Sequence, residues 1–458
     1  MSNATRSLTQ GHLGKQILLF SFPLMLSNIL QVLFNMSDIA VVGRFAGPYA
    51  LGSVGSTTTL VVLFTGFLIG MGNGVNVLVA RHFGARHEQD VEETVHTAVI
   101  LCFAAGVLML VLGLCLGLPL LRLLGTKPEL IDGALLYLRI YFLGMPALAI
   151  YNFGNGVLSA VGDTKRPLLY LSFSGVVNVV LNLFFVIVCK MDVAGVAIAS
   201  VLSQYISAAL ILRCLLRSRT CYALKLSSLR LTGEKVPRSL SVGIPSGLQH
   251  AIFSIANLFI QAGVNSFDAT VVAGNAAAAN ADTLIYDVMA AFYTACSSFI
   301  GQNYGAGNRE RIRKAYFICL GYSFGVGAVL GFLAATFGRV FLALFTPEAA
   351  VVDAGMERLV VMGYSYAISA LMDCSIAASR GLGRSFVPTL IVIIGSCAFR
   401  VLWVYTVFAQ HHTIFSLYAL YPFSWAITSV AEIAYFARCY KTGCAAFPAK
   451  SAEISPAI

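Results

Sequence analysis

The chain is predicted to be an all-α polytopic membrane protein, with twelve transmembrane helices in two six-helix bundles related by a pseudo-two-fold axis along the membrane normal. Three observations predict this. First, 58% of the 458 residues are hydrophobic and only 11% are charged, where a soluble domain carries about a quarter charged residues. Second, the apolar residues gather in runs near the roughly 20 residues that cross a bilayer as a helix. A crossing segment must satisfy its own backbone, so these runs are helices and not open strands. Third, the chain repeats itself at an offset of 221 or 222 residues.

Taken in order, the runs place helices at about 15–42, 52–80, 94–121, 133–158, 167–189, 193–216, 239–263, 270–300, 315–342, 354–379, 386–409 and 414–437. Lys and Arg orient them. Arg6, Lys15, Arg81, Arg86, Lys165, Arg166, Arg309, Arg311, Arg313, Lys314, Arg380 and Arg384 fall on one side. The basic stretch from Arg213 to Arg238 and the tail residues Arg438, Lys441 and Lys450 join them. The other side has only Arg44, Arg122, Lys127, Lys190 and Arg339. The positive-inside rule then makes both termini cytoplasmic. It also accounts for the net charge of +10 without nucleic acid, for which no basic arm or aromatic-interleaved patch exists. The first fourteen residues are polar and the first apolar run is too long for a signal peptide; the opening MSNA is set aside as a cloning scar. The eleven cysteines are scattered through apolar runs, as small core residues are, and do not form a disulfide framework or metal site.

The repeat shows at three places. Phe83-Gly84-Ala85 matches Tyr304-Gly305-Ala306, Gly162 and Pro167 match Gly383 and Pro388, and Phe22-Pro23 matches Ile244-Pro245. Six helices per unit is an even number, so both copies enter the membrane the same way round. The expected units are 1–216, a linker at 217–238, 239–440, and a tail at 441–458. Two bundles would then face each other across a cleft and rock to give alternating access. Glycines such as those of GFLIGMGNGVN let helices approach closely. Pro23, Pro146 and Pro245 fall inside runs and are positioned to kink them.

Acids inside a bilayer need a reason, since one at the centre costs at least about 2.5 kcal/mol. The candidates are Asp38, Asp282, Asp287, Asp373 and Glu432. Asp38 stands 23 residues beyond Lys15, roughly 35 Å of helix. Depth alone leaves two readings open, an interfacial acid and a working one. Asn178 and Asn182 are four apart and share a helix face; they either bridge helices or complete a cation site. Asn152 and Asn155 are further candidates. Asn35, Asp282, Asp287, Tyr286 and Phe153 are assigned to a substrate cleft, with Phe34, Phe64, Phe292 and Tyr293 as additional aromatic candidates for cation–π contacts. One of Asp282 and Asp287 is expected to pair with Arg400. Glu432 is expected to snorkel toward Arg438.

FSFPLMLSNILQVLFNMSDIAVVGRFAG resembles the first helix and loop of the multidrug and toxic compound extrusion (MATE) family. GDTKRP is similar to its loop after helix four, and GQNYGAGNRERIRKA to its loop after helix eight. The likeness spans about residues 12 to 440. It implies a bacterial inner-membrane secondary antiporter, monomeric, that exports small organic cations in exchange for H⁺ or Na⁺ by alternating access, with no cofactor. By the same resemblance Asp38 is the cation-coupling acid, binding a proton or Na⁺, and Asn178 matches a site residue. Asn182 departs from a branch that has Asp there. Asp373 resembles an acid of the sodium-coupled branch; that branch's helix-seven Glu is missing, with Phe253 near its place and His250 one turn earlier. The rival readings are a lipid-linked saccharide flippase of the same superfamily, which would need a basic cleft, and a membrane-embedded protein that does not transport. An enzyme is not expected, because metal or nucleophile spacing is absent.

Overall fold

Among the residues described in the computed structural model, which are 7–343, 346–445 and 447, the chain forms twelve long helices and no strand. Arg6 and Lys450, and most of the expected tail, lie outside them. The helices are α1 (Leu13–Phe45), α2 (Gly47–Gly84), α3 (Glu88–Leu123), α4 (Pro128–Phe142 with Met145–Ala160), α5 (Lys165–Val188) and α6 (Asp192–Leu216). The second set is α7 (Lys235–Val264), α8 (Ala269–Gly305), α9 (Arg309–Leu342), α10 (Ala349–Gly381), α11 (Phe386–Phe408) and α12 (Ile414–Gly443). Ten are long and apolar enough to cross a membrane singly, and the two pieces of α4 together make an eleventh. The remaining one, α7, opens on the polar stretch KVPRSLSVGIPSGLQH.

Ends are set by local chemistry. Asp268 caps α8 by accepting from the Val271 amide, and Thr413 forms a capping box with Ser416 at the start of α12. Pro23 and Pro245 sit inside unbroken helices. Pro146 instead starts the second piece of α4, after a 48° bend. A first-turn proline loses no intrahelical hydrogen bond, so the break falls before it and not at it.

The repeat is written in the backbone. Gly162 and Gly383, 221 apart, have φ of 89° and 78°, and Arg86 and Gly307, also 221 apart, have φ of 59° and 69°. Both α5 and α11 end in π-helical turns, Phe184–Val188 and Val404–Phe408.

Both described chain ends and the 217–234 connection lie at one face, called here the terminal face; the opposite one is the far face. The two halves meet on the terminal side. Gly70 of α2 abuts the backbone of Gly247, and a Cβ on Gly74 would stand 2.7 Å from the Gly243 backbone. Gly84 and Gly305 press against the backbones of Gln302 and Arg81. The GQNYGAG segment closes the seam. Gln302 accepts from the Leu8 amide at 3.0 Å and donates to the Ala160 carbonyl at 2.6 Å, while Asn303 donates to the Leu8 carbonyl at 3.2 Å. Arg81 lies over the Tyr304 ring at 4.8 Å. The outermost hydrogen bond between halves, among the described residues, runs from Asn28 to the Asp287 carbonyl at 2.8 Å, about midway along α1 and α8. The molecule is therefore sealed at the terminal face, and no hydrogen bond among the described residues joins the halves beyond mid-depth.

The connection between halves is docked on α3. His96 donates to the Glu92 carbonyl at 2.7 Å and accepts from the Lys225 amide at 3.0 Å. Lys225 pairs with Glu92 at 2.9 Å, and Lys235 with Asp90.

Candidate functional site: a carboxylate ringed by amides

Helices α1, α5 and α6 converge on Asp38. The Phe34 ring packs against Gly175, so α1 and α5 approach where a side chain on Gly175 would clash. About two turns along α5 from Gly175, Asn182 donates to Asp38 Oδ1. The same amide donates to Asn178 Oδ1 at 3.2 Å. Asn178 reaches Ser200 Oγ of α6 at 3.5 Å, and Ser200 donates to Asp38 Oδ2 at 3.2 Å. The ring is closed. Asn178, Asn182 and Ser200 are buried and Asp38 half-buried.

Both groups that touch the acid, the Asn182 amide and the Ser200 hydroxyl, donate to it, so the ring suits an acceptor-only, ionised carboxylate. No Lys or Arg pairs with it among the described residues. Asn182 Oδ1 is buried without a partner, and is the acceptor a proton on Asp38 would need. Tyr137 and Tyr141, stacked at 5.7 Å between centroids, lie within electrostatic range of Asp38. The π turns of α5 begin two residues after Asn182, and such turns are frequent at functional sites.

The other expected residues scatter. Asn152 turns back onto the Leu148 carbonyl of its own helix at 2.9 Å and does not join the ring. Asn35 is exposed, three residues before Asp38. Phe153 is fully buried in the core of the first half and lines no cleft, and Phe64 and Phe292 are likewise core residues. Tyr286 is 40% exposed and its ring lies 6.2 Å from Tyr293.

Asp282 is not an open cleft acid. Arg358 holds it through Nη2 and Nε, both at 2.7 Å, and Tyr366 donates to it as well. Arg358 also donates to Asn275 at 2.6 Å and lies over the rings of Tyr418 and Tyr421. The expected partnership with Arg400 does not form. Arg400 instead donates to Ser424 at 3.1 Å inside a box of Phe253, Tyr421 and Trp425. Asp287 is half-buried and has no ion pair among the described residues. Asp373 is 9% exposed, in the other half from Asp38, with Oδ2 unpartnered. Glu432 does not snorkel: it is fully buried, because its side chain turns into the bundle toward Arg380. Ser200 was invisible in the sequence, where AIASVLSQ looks like small-residue packing.

Paired six-helix bundles that repeat the same backbone turns, sealed at one face, with an amide-ringed acid in one half only, define a polytopic helical membrane transporter and not an enzyme. The MatE family profile matches residues 23–184 and again 245–406. The chain belongs to that family of multidrug efflux transporters. It is 31% identical over 364 residues to the probable multidrug resistance protein YpnP of Bacillus subtilis (strain 168), covering 78% of this chain and 80% of that one. It is 26% identical over 449 residues to YoeA, a second probable multidrug resistance protein of the same organism, covering 95% and 96%. A solved MOP-superfamily transporter from Pyrococcus furiosus shares the fold with a TM-score of 0.90 at 23% identity, over 96% of this chain and 99% of that one.

Proposed function

We propose that this chain is a secondary antiporter that exports organic cations in exchange for H⁺ or Na⁺ by alternating access, with Asp38 as the coupling acid. The observation that carries the reading is the closed ring of Asn178, Asn182 and Ser200 around a carboxylate with no counter-cation. An incoming proton or Na⁺ supplies the missing positive charge. Protonation turns one Asp38 oxygen into a donor, and rotation of the Asn182 amide offers Oδ1 to receive it. Sodium would instead draw on the Asp38, Asn178, Asn182 and Ser200 oxygens. Either event replaces the hydrogen bonds that tie α1 to α5 and α6, and so changes how α1 packs.

The terminal face, rich in Lys and Arg, is cytoplasmic in a bacterial inner membrane by the positive-inside rule, and the structure is then outward-open. The units 1–216 and 239–440 rock as bodies about the linker at 217–238, and the transporter acts as a monomer. Asp287, Tyr286 and Asn35 face substrate where the halves part.

A flippase for lipid-linked sugars would need cations in the cleft. Three arginines do lie inside the second half, but Arg358 is spent on Asp282, and Arg400 is buried among aromatic rings. Arg380 is occupied by Gln249.

The test is uptake of a fluorescent organic cation into everted vesicles under an imposed ΔpH or ΔNa⁺. Gradient-driven uptake should fall to background in Asp38→Asn at equal expression. Undiminished uptake by that variant rejects the assignment.

A further inference from the structure

Glu432 lies in the body of α12 with no exposed surface, and neither of its carboxyl oxygens has a hydrogen-bond partner among the described residues. Charged and titratable groups approach it from three helices. From α10 come Asp373 and Arg380. Arg400 of α11 stands farther along, on Ser424, eight residues before Glu432. His250 of α7 stands beside Arg380, and Tyr435 is the neighbour on α12 itself, with Arg384 beyond it.

Arg380 is the cation that acts most on Glu432, yet it is bonded elsewhere. Its Nη2 donates to Gln249 Oε1 at 2.6 Å, and its buried Nε has no acceptor among the described residues. An ionised carboxylate without a hydrogen-bond donor is costly to bury. A sodium ion is opposed by the guanidinium alongside, and no group of three acidic, His or Cys side chains able to hold a metal exists among the described residues.

We propose that Glu432 is a second proton-binding site, in the second half, protonated in this conformation and discharged when Arg380 swings from Gln249 onto it. The O–H bond of Glu432 breaks as the guanidinium pairs with the carboxylate, and the proton leaves to water on whichever side is then open. The trigger is built into α7. Gln249 also accepts from Thr389 at 3.4 Å and sits one turn past Pro245, whose carbonyl accepts from Thr389 at 3.2 Å. Between them, Gly247 abuts Gly70 across the seam. Rearrangement of the seam therefore shifts the acceptor that now holds Arg380.

This adds a second proton to the antiport reading, but its test needs no transport. Infrared spectra are recorded on the full chain in lipid, in an Asp38→Asn background, across pH. A protonated-carboxyl C=O band should be present at neutral pH, vanish with Glu432→Gln and persist with Asp373→Asn. Arg380→Gln should move the pH at which the band disappears upward by about one to three units, because the carboxylate loses its nearby cation. A band indifferent to Glu432→Gln overturns the proposal, as does a midpoint unmoved by Arg380→Gln. Should Glu432→Gln fail to fold, the Arg380→Gln midpoint decides alone.

Discussion

Asp38 and Asp282 are both acids on helices that line the space between the halves, and their surroundings set their roles apart. Asp282 is neutralised by Arg358, which is stacked on two tyrosines and locked to Asn275. Breaking such a pair strands a buried charge, which costs about 3–5 kcal/mol. Arg358→Ala should therefore lower thermal stability in detergent sharply, and Asp282→Asn with Arg358→Met should recover most of it. An unchanged melting temperature in the single variant contradicts the structural role. Asp38 has donors and no cation. Ser200→Ala removes one of its two contacts and leaves the scaffold in place. The pH or sodium midpoint of transport should move, with maximal flux retained; an unmoved midpoint removes Ser200 from the site. Asp38, Asn178 and Asn182 stood out in the sequence as polar groups in oily runs, but only the family resemblance gave them a role; residue type and spacing left it open. Ser200 and the Asp282–Arg358 pair were not legible, since each depends on helices remote in sequence coming together. Phe153 was misassigned for a related reason: an aromatic in an apolar helix carries no local mark of the direction it faces.

At the scale of the element, helix existence and order follow from apolar run length, and the twelve expected helices are the twelve observed. The observed helices run past the apolar runs, as α8 does to Gly305, since helix continues beyond the oily stretch wherever no cap stops it. The bend in α4 was placed at Pro146, whereas the break is at Leu143 and Gly144. The GQNYGAG segment marked the repeat in the sequence, but its work as the seal of the terminal face emerged only from the fold. Gly84 and Gly305 are small because the partner backbone lies where a side chain would be. Gly84→Val should disfavour the sealed state by about tenfold or more, given that overpacking costs about 1–3 kcal/mol. Spin labels at Arg86→Cys and Arg309→Cys in a cysteine-free background should then report a longer, broader distance across the terminal face. An unchanged distribution means that this seam does not hold the state.

For the whole molecule, the two halves share a scaffold and differ in charge. The first half holds Asp38 with no partner cation. The second pairs Asp282 with Arg358 and places Asp373 and Glu432 near Arg380 and Arg400, with Asp373, Glu432, Arg358 and Arg400 buried and Asp282 and Arg380 half-buried. Interior arginines offset the acids of the second half, whereas no cation pairs with Asp38 among the described residues. A site grafted onto one half of a repeated scaffold has this appearance. The repeat was legible because three anchors kept one spacing. The Asp282–Arg358 pair was not, because α8 and α10 meet only when the chain folds.

The central claim is that Asp38 gives up or takes on a positive charge as substrate binds. Purified protein in lipid, mixed with an organic cation in weakly buffered solution containing a pH dye and then a sodium indicator, tests it directly. Wild-type protein should release protons or sodium in proportion to cation bound, and Asp38→Asn should release neither from that site. Equal release from both proteins, or none from wild type while the cation still binds, would contradict it.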